Sequence, residues 1–211
     1  GNTRDVLDVP GVGQIEASMI DAANPCVFVR ASDIGITGAE APDALEANTA
    51  FLARMEAVRR AASVAMRLSG SLEEAAKIPS IPKVATVAAP TDQTLLTGDM
   101  LLANETDIVV RMISIGQPHR AVPLTGALCL AVATKLPGSI PFELCRDGAD
   151  QVRVAQASGL TVVEADMTET PDGWHATSAS VIRTQRRLMD GYVYASAART
   201  PGMDALQAAA E

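Results

Sequence analysis

Aromatic residues make up only 3% of this 211-residue chain, so a core that hydrophobic residues (48%) can fill must be built from Ala, Val, Leu, Ile and Met. Positive charge is also short: the formal net charge is -8, and basic residues form no run beyond Arg59-Arg60 and Arg186-Arg187. Nucleic acid and acidic lipid are therefore poor partners. Any anionic ligand must be held by local N–H groups and a few cations, against the mean field of the chain. The three cysteines, Cys26, Cys129 and Cys145, form no CxxC and leave an odd thiol, which fits a reducing cytoplasm and not a disulfide framework. No apolar run approaches the ~20 residues of a membrane span, and neither a membrane partner nor a signal peptide is expected.

Chemical signatures are missing as well. There is no HExxH metal cluster, no Walker loop and no GxSxG elbow, and Gly11-Val12-Gly13 lacks the third glycine and the strand-helix setting of a dinucleotide fingerprint. No metal and no cofactor is expected; chemistry here would use side chains and backbone.

What is present is enough length for a core of one domain, or one and a fraction. Residues 1–14, the run GNTRDVLDVPG included, read as a linker from something longer, with a domain expected over 15–190 and a terminal strand and tail over 191–211. Alternation over Ile15–Ile20 and the apolar run Cys26–Arg30 predict two strands joined through Asp21–Pro25. Pro25 keeps Asn24 out of the helical region, so its amide would sit on an irregular bend. Asp43-Ala44-Leu45-Glu46 has the form of a capping box and predicts a long amphipathic helix to about Leu68, ended by Gly70. Ser71 and Glu74 then open a shorter helix that Pro79 stops. This helical pair reads as a layer over a sheet, with an oligomer contact as the alternative. Strands are expected at Val84–Ala88 and Asp107–Ser114, around a helical Thr94–Asn104. Past the Thr125 helix, Val152–Ala155, Leu160–Met167 and His175–Arg186 read as strands, the last two turning at Pro171-Asp172-Gly173, and Tyr192-Val193-Tyr194 as a short one. This order favours an α+β fold over a doubly wound sheet.

Three features point to small-acid chemistry. Asn24 precedes a proline at a strand junction, His119 lies six residues before Thr125, and Thr125-Gly126-Ala127 opens an apolar helix carrying Leu128, Leu130, Ala131 and Val132. A helix that is apolar all round is buried, so its first N–H groups must face a partner or a cavity, and its dipole favours an anion there. A plainer reading has Thr125 as the cap and Gly126 allowing close approach, and both can hold at once. His119 taken alone could equally be a hydrogen-bonded loop residue, and His175, beside Trp174, a surface one. Cys129 reads as core and Cys145 as loop; Cys26, close behind Asn24, would be reactive if its pKa were depressed.

The stretches IDAANPCVFVRASDIGITGAE and ISIGQPHRAVPLTGA are similar to the wording of the PrpF family, within the diaminopimelate-epimerase-like proteins, and resemble its C-terminal half. That family includes 2-methylaconitate isomerase, methylitaconate isomerase and 4-oxalomesaconate tautomerase. The resemblance implies an α+β domain with an antiparallel barrel-like sheet wrapped around a central helix, plus an added helical pair. It also implies an isomerase that shifts an allylic proton on a small di- or tricarboxylate without a cofactor. Pro123 stands where the epimerases carry a catalytic cysteine, which argues against a two-cysteine racemase. The Gly-Asn-Cys segment credited with proton transfer is absent, since Gly1-Asn2 runs into Thr3. The resemblance therefore implies half an active site, with Asn24, Ser114, Gly116, His119, Thr125, Gly126 and Ala127 holding carboxylates and no catalytic residue on this half; Ser114 and Gly116 enter from the motif alone. Its implied partners are the carboxylate, a missing N-terminal half and, through the terminal strand, a second copy in a homodimer. The alternative is a non-catalytic carboxylate-binding or accessory protein.

Overall fold

The structure, a computed structural model, describes residues 2–146, 150–196 and 199. Eleven strands are formed among them: β1 Asp5–Val9, β2 Gly13–Ala22, β3 Asn24–Arg30, β4 Lys83–Ala88, β5 Gln93–Thr94, β6 Met100–Leu101, β7 Ile108–Ser114, β8 Gln117–Pro118, β9 Gln151–Gln156, β10 Gly159–Thr170 and β11 Gly173–Ile182. The helices are α1 Ala31–Ile34, α2 Pro42–Ala47, α3 Thr49–Ala65, α4 Leu72–Lys77, α5 Leu124–Lys135 and α6 Ile140–Leu144. The main sheet runs β1-β2-β3-β4-β7-β9-β10-β11, with β8 paired to β7.

Strand β3 shows why the sheet needs cover on both sides. Cys26 and Phe28 point into one core with Ala85, Val87, Val110, Met112 and Leu130, while Val27 and Val29 point into another with Val84, Met55 and Val58. Alternation thus sends every second residue to opposite apolar layers, and the strand reads as a continuous apolar run. Helix α5 fills the first layer. It packs on β2 and β3 at one side and on β10 and β11 at the other, so the sheet curls around it. Helix α3 covers the opposite face, against β1 and β4, as the layer reading requires. Arg59, 2% exposed, ties that layer down by donating to the carbonyls of Ala75, Ile78 and Ile81.

The fold is α+β, but the sheet is mixed and not antiparallel throughout. β3 pairs with β4 and β7 with β9 in parallel. Helical crossovers separate both pairs, and only such long connections can return a chain to a parallel register. The segment expected as a linker includes β1, which pairs with β2 and buries Leu7 and Val9. The long helix expected from Asp43 is two: α2 starts on Pro42, and Asn48 breaks the run and caps α3, its side-chain oxygen accepting from the Phe51 N–H at 3.0 Å. Ser71 caps α4 as expected. Thr94–Asn104 is not helical; it holds the β5–β6 pair and enters a 3-10 turn at Ala103–Glu105. Tyr192, Val193 and Tyr194 form no strand and are exposed, and of the 191–211 tail residues 197, 198 and 200–211 lie outside the described ones. Among the described residues no helix is long and apolar enough to cross a membrane.

Candidate anion-binding site

Helix α5 starts without a side-chain cap. Pro123 occupies the N-cap position with extended backbone, so Thr125 lies inside the first turn and is not the cap. Ala127 is the first residue whose N–H closes a helical turn, donating to the Pro123 carbonyl at 2.8 Å. The N–H groups of Leu124, Thr125 and Gly126 precede it, and helix geometry leaves such groups without an intrahelical acceptor. Gly126 sits so tightly on β7 that an added Cβ would lie 2.4 Å from the Met112 Sδ.

Around this mouth the structure gathers most of the residues singled out in the sequence. Asn24 follows Ala23, whose φ of 65° makes the tight β2–β3 reversal. Its Nδ2 donates to Thr125 Oγ1 at 3.4 Å, and its Oδ1 is buried with no partner. Amide oxygen and nitrogen exchange places by a flip, so Thr125 can be satisfied by either end, leaving the other for a ligand. Ser114 ends β7, where Ile115 (φ 52°) and Gly116 (φ 73°) form the two-residue turn into β8. Gly116 is exposed at the turn tip and supplies the turn, whereas Ser114 faces Lys83. His119 is fixed by its N–H donating to the Met112 carbonyl at 2.8 Å, and its Nε2 is buried without a partner. Burial, and then the charge of Lys83, lower its pKa. A neutral imidazole can donate or accept from Nε2, according to tautomer. Ala127, 1% exposed, sits in the core with its N–H engaged, so its part is to pack the first turn.

One member of the cluster escaped the sequence reading. Lys83 opens β4, its Nζ donates to Ser114 Oγ at 3.2 Å, and its Cδ lies 3.8 Å from where a Gly126 Cβ would be. A lysine leading a strand that is apolar but for Thr86 was the available signal; what it faces depends on β7 and α5, distant in sequence.

The thiols behave differently from the reactive case considered for Cys26. Cys26 and Cys129 are fully buried, and the Cys129 thiol donates to the Ile20 carbonyl at 3.4 Å. A hydrogen bond with Cys129, and then burial, push the Cys26 thiol up, away from the thiolate. His175 is exposed, on the wall of an apolar groove of about 560 Å³ between α5, the end of β2 and β11, lined also by Leu128, Val132, Met167 and Trp174. That groove holds none of the mouth's polar side chains.

A mixed sheet curled around a buried helix, with polar side chains and a lysine gathered at that helix's uncapped start, defines an α+β domain whose polar centre is the mouth of its central helix. Sequence comparison agrees with the architecture: the PrpF protein family matches residues 1–196. The chain belongs to the PrpF family. It is 35% identical over 195 residues to the 2-methyl-aconitate isomerase of Shewanella oneidensis, covering 92% of this chain and 49% of that protein. It is 31% identical to the (4E)-oxalomesaconate Delta-isomerase of a Novosphingobium species, covering 92% and 48%. The crystal structure of a methylitaconate-delta-isomerase superposes with a TM-score of 0.82 at 32% identity, covering 94% of this chain and 51% of that one. The chain spans about half the length of the relatives it matches.

Proposed function

We propose that this chain is the substrate-clamping, C-terminal domain of a cofactor-independent isomerase of the diaminopimelate-epimerase-like fold. The enzyme moves an allylic proton on a small di- or tricarboxylate of the 2-methylaconitate or 4-oxalomesaconate type. The observation that carries this reading is the uncapped start of α5 beside two buried, unpartnered polar atoms, Asn24 Oδ1 and His119 Nε2. Unpaired buried polar groups cost free energy, so their retention at a helix N-terminus marks a place where a polar ligand completes the bonding. The names carried by its relatives supply the ligand class.

Proton abstraction next to a carboxylate builds enolate-like charge, which preorganised N–H donors stabilise. The first turn of α5 provides such donors without reorganisation. The base comes from an N-terminal half of the same protein facing this mouth. A second reading is a carboxylate-binding or accessory protein that keeps the anion site and lacks the base.

The test follows ultraviolet absorbance as 2-methylaconitate or 4-oxalomesaconate isomerises, for the intact gene product and for the 211-residue chain. Turnover by the intact product alone is expected. Turnover by the 211-residue chain on its own overturns the half-site reading, and binding without turnover by both selects the binding protein.

A further inference from the structure

Lys83 is placed where electrostatics disfavours it. In the β4–β7 register Val84 lies opposite Ile113, which sets Lys83 against Ser114. The lysine stem passes Gly126, so the ammonium is delivered to the start of α5, the positive end of the helix dipole. Cations are stabilised at helix C-termini and disfavoured at N-termini. No carboxylate among the described residues lies within ion-pair distance of Lys83, although the chain carries 25 Asp and Glu. Arg30, Arg59, Arg120 and Arg153 by contrast each meet an acid. The ammonium's hydrogen-bond partner is the Ser114 hydroxyl, which holds it in place without neutralising it.

Two positive features thus converge on one point that the acids among the described residues leave empty, with the neutral polar groups of Asn24 and His119 beside it. Repulsion between them is relieved by an anion that bonds both.

We propose that Lys83 anchors one carboxylate of the ligand, its ammonium taking one oxygen and the first N–H groups of α5 the other, while Ser114 and the contact beside Gly126 position the ammonium. The inference rests on the carboxylate reading of the site and adds the residue that neutralises the ligand. Lys83 is a binding residue here; the proton-transfer base is a separate group.

The experiment is titration calorimetry of the 211-residue chain with trans-aconitate, and with its neutral trimethyl ester as control, for wild type, Lys83→Met, Lys83→Arg and Ser114→Ala. Wild type should bind the acid and not the ester. Lys83→Met should bind the acid roughly ten- to a hundred-fold more weakly, the range of a charge-assisted hydrogen bond, with a shallower salt dependence. Lys83→Arg should stay within several-fold of wild type, and Ser114→Ala should fall between them. The urea midpoint of Lys83→Met should not drop, because the change removes a cation from a positive site. If Lys83→Met binds as wild type does, or a folded Lys83→Arg loses as much as Lys83→Met, the anchoring role fails and the carboxylate reading stands. If wild type does not bind trans-aconitate, that reading fails and takes the anchor with it.

Discussion

Gly126→Ala sets helix propensity against packing at the point where the central helix meets the sheet. Alanine in place of glycine is worth about 1 kcal/mol in a helix interior, and somewhat less in the first turn. The new methyl would lie 2.4 Å from the Met112 Sδ and 2.8 Å from its Cε. Methionine is flexible, but Met112 is 1% exposed and packed in the α5 core, so its displaced thioether meets other buried side chains. Overpacking of that kind costs about 1–3 kcal/mol. The net expectation is a loss of about 1–2 kcal/mol, which lowers Tm by roughly 2–8 °C in a domain of this size. Urea unfolding and calorimetry would measure it. A Met112→Ala background supplies the control, since it opens space where the methyl must go. There Gly126→Ala should become neutral or stabilising, giving a coupling of about 2 kcal/mol, within the range for contacting residues. Because the Met112 carbonyl holds the His119 N–H, the single variant should also weaken trans-aconitate binding. A Gly126→Ala protein as stable as wild type, or strict additivity with Met112→Ala, would refute the packing argument.

Two further outcomes follow from buried polar groups. Burial alone would raise the Asp107 carboxyl, but hydrogen bonds from the Arg153 side chain and N–H outweigh it and hold the group below the usual carboxylate range. A depressed acid stabilises fully above its unfolded value, ~3.9, and loses that contribution as pH falls through the folded value. Asp107→Asn should therefore cost about 1–3 kcal/mol at neutral pH, discounted because the Arg153 side chain is 39% exposed, and should flatten the acid limb of the urea midpoint against pH. Cys26 and Cys129, both fully buried, should resist a thiol-specific disulfide reagent in the native chain and react on unfolding; fast native labelling of Cys26, read by peptide mass, would contradict the buried pair.

Much of the local structure was legible in the sequence because it depends on near neighbours. Ser71 and Glu74 signal a helix start within four residues, Pro171-Asp172-Gly173 signals a reversal, and the apolar run around Leu128–Val132 signals a buried helix. The break at Asn48 was masked because the apolar period runs on through both helices, and the cap shows only once α3 is in place. Thr94–Asn104 was misread because strands of two residues are too short to display a period.

The family resemblance grouped Asn24, His119 and Thr125; the sequence by itself determined that the core would be aliphatic and that an apolar helix would be buried, its first N–H groups lacking intrahelical acceptors. These follow from composition, spacing and helix geometry, which are properties of short stretches. Only the tertiary structure decided that β3 and β4 run parallel, that Lys83 lies opposite Ser114 and passes Gly126, and that Pro123, not Thr125, stands at the cap position. Those outcomes depend on strand register and on helix-to-sheet distance, which a one-residue slip would reverse and which no local pattern encodes.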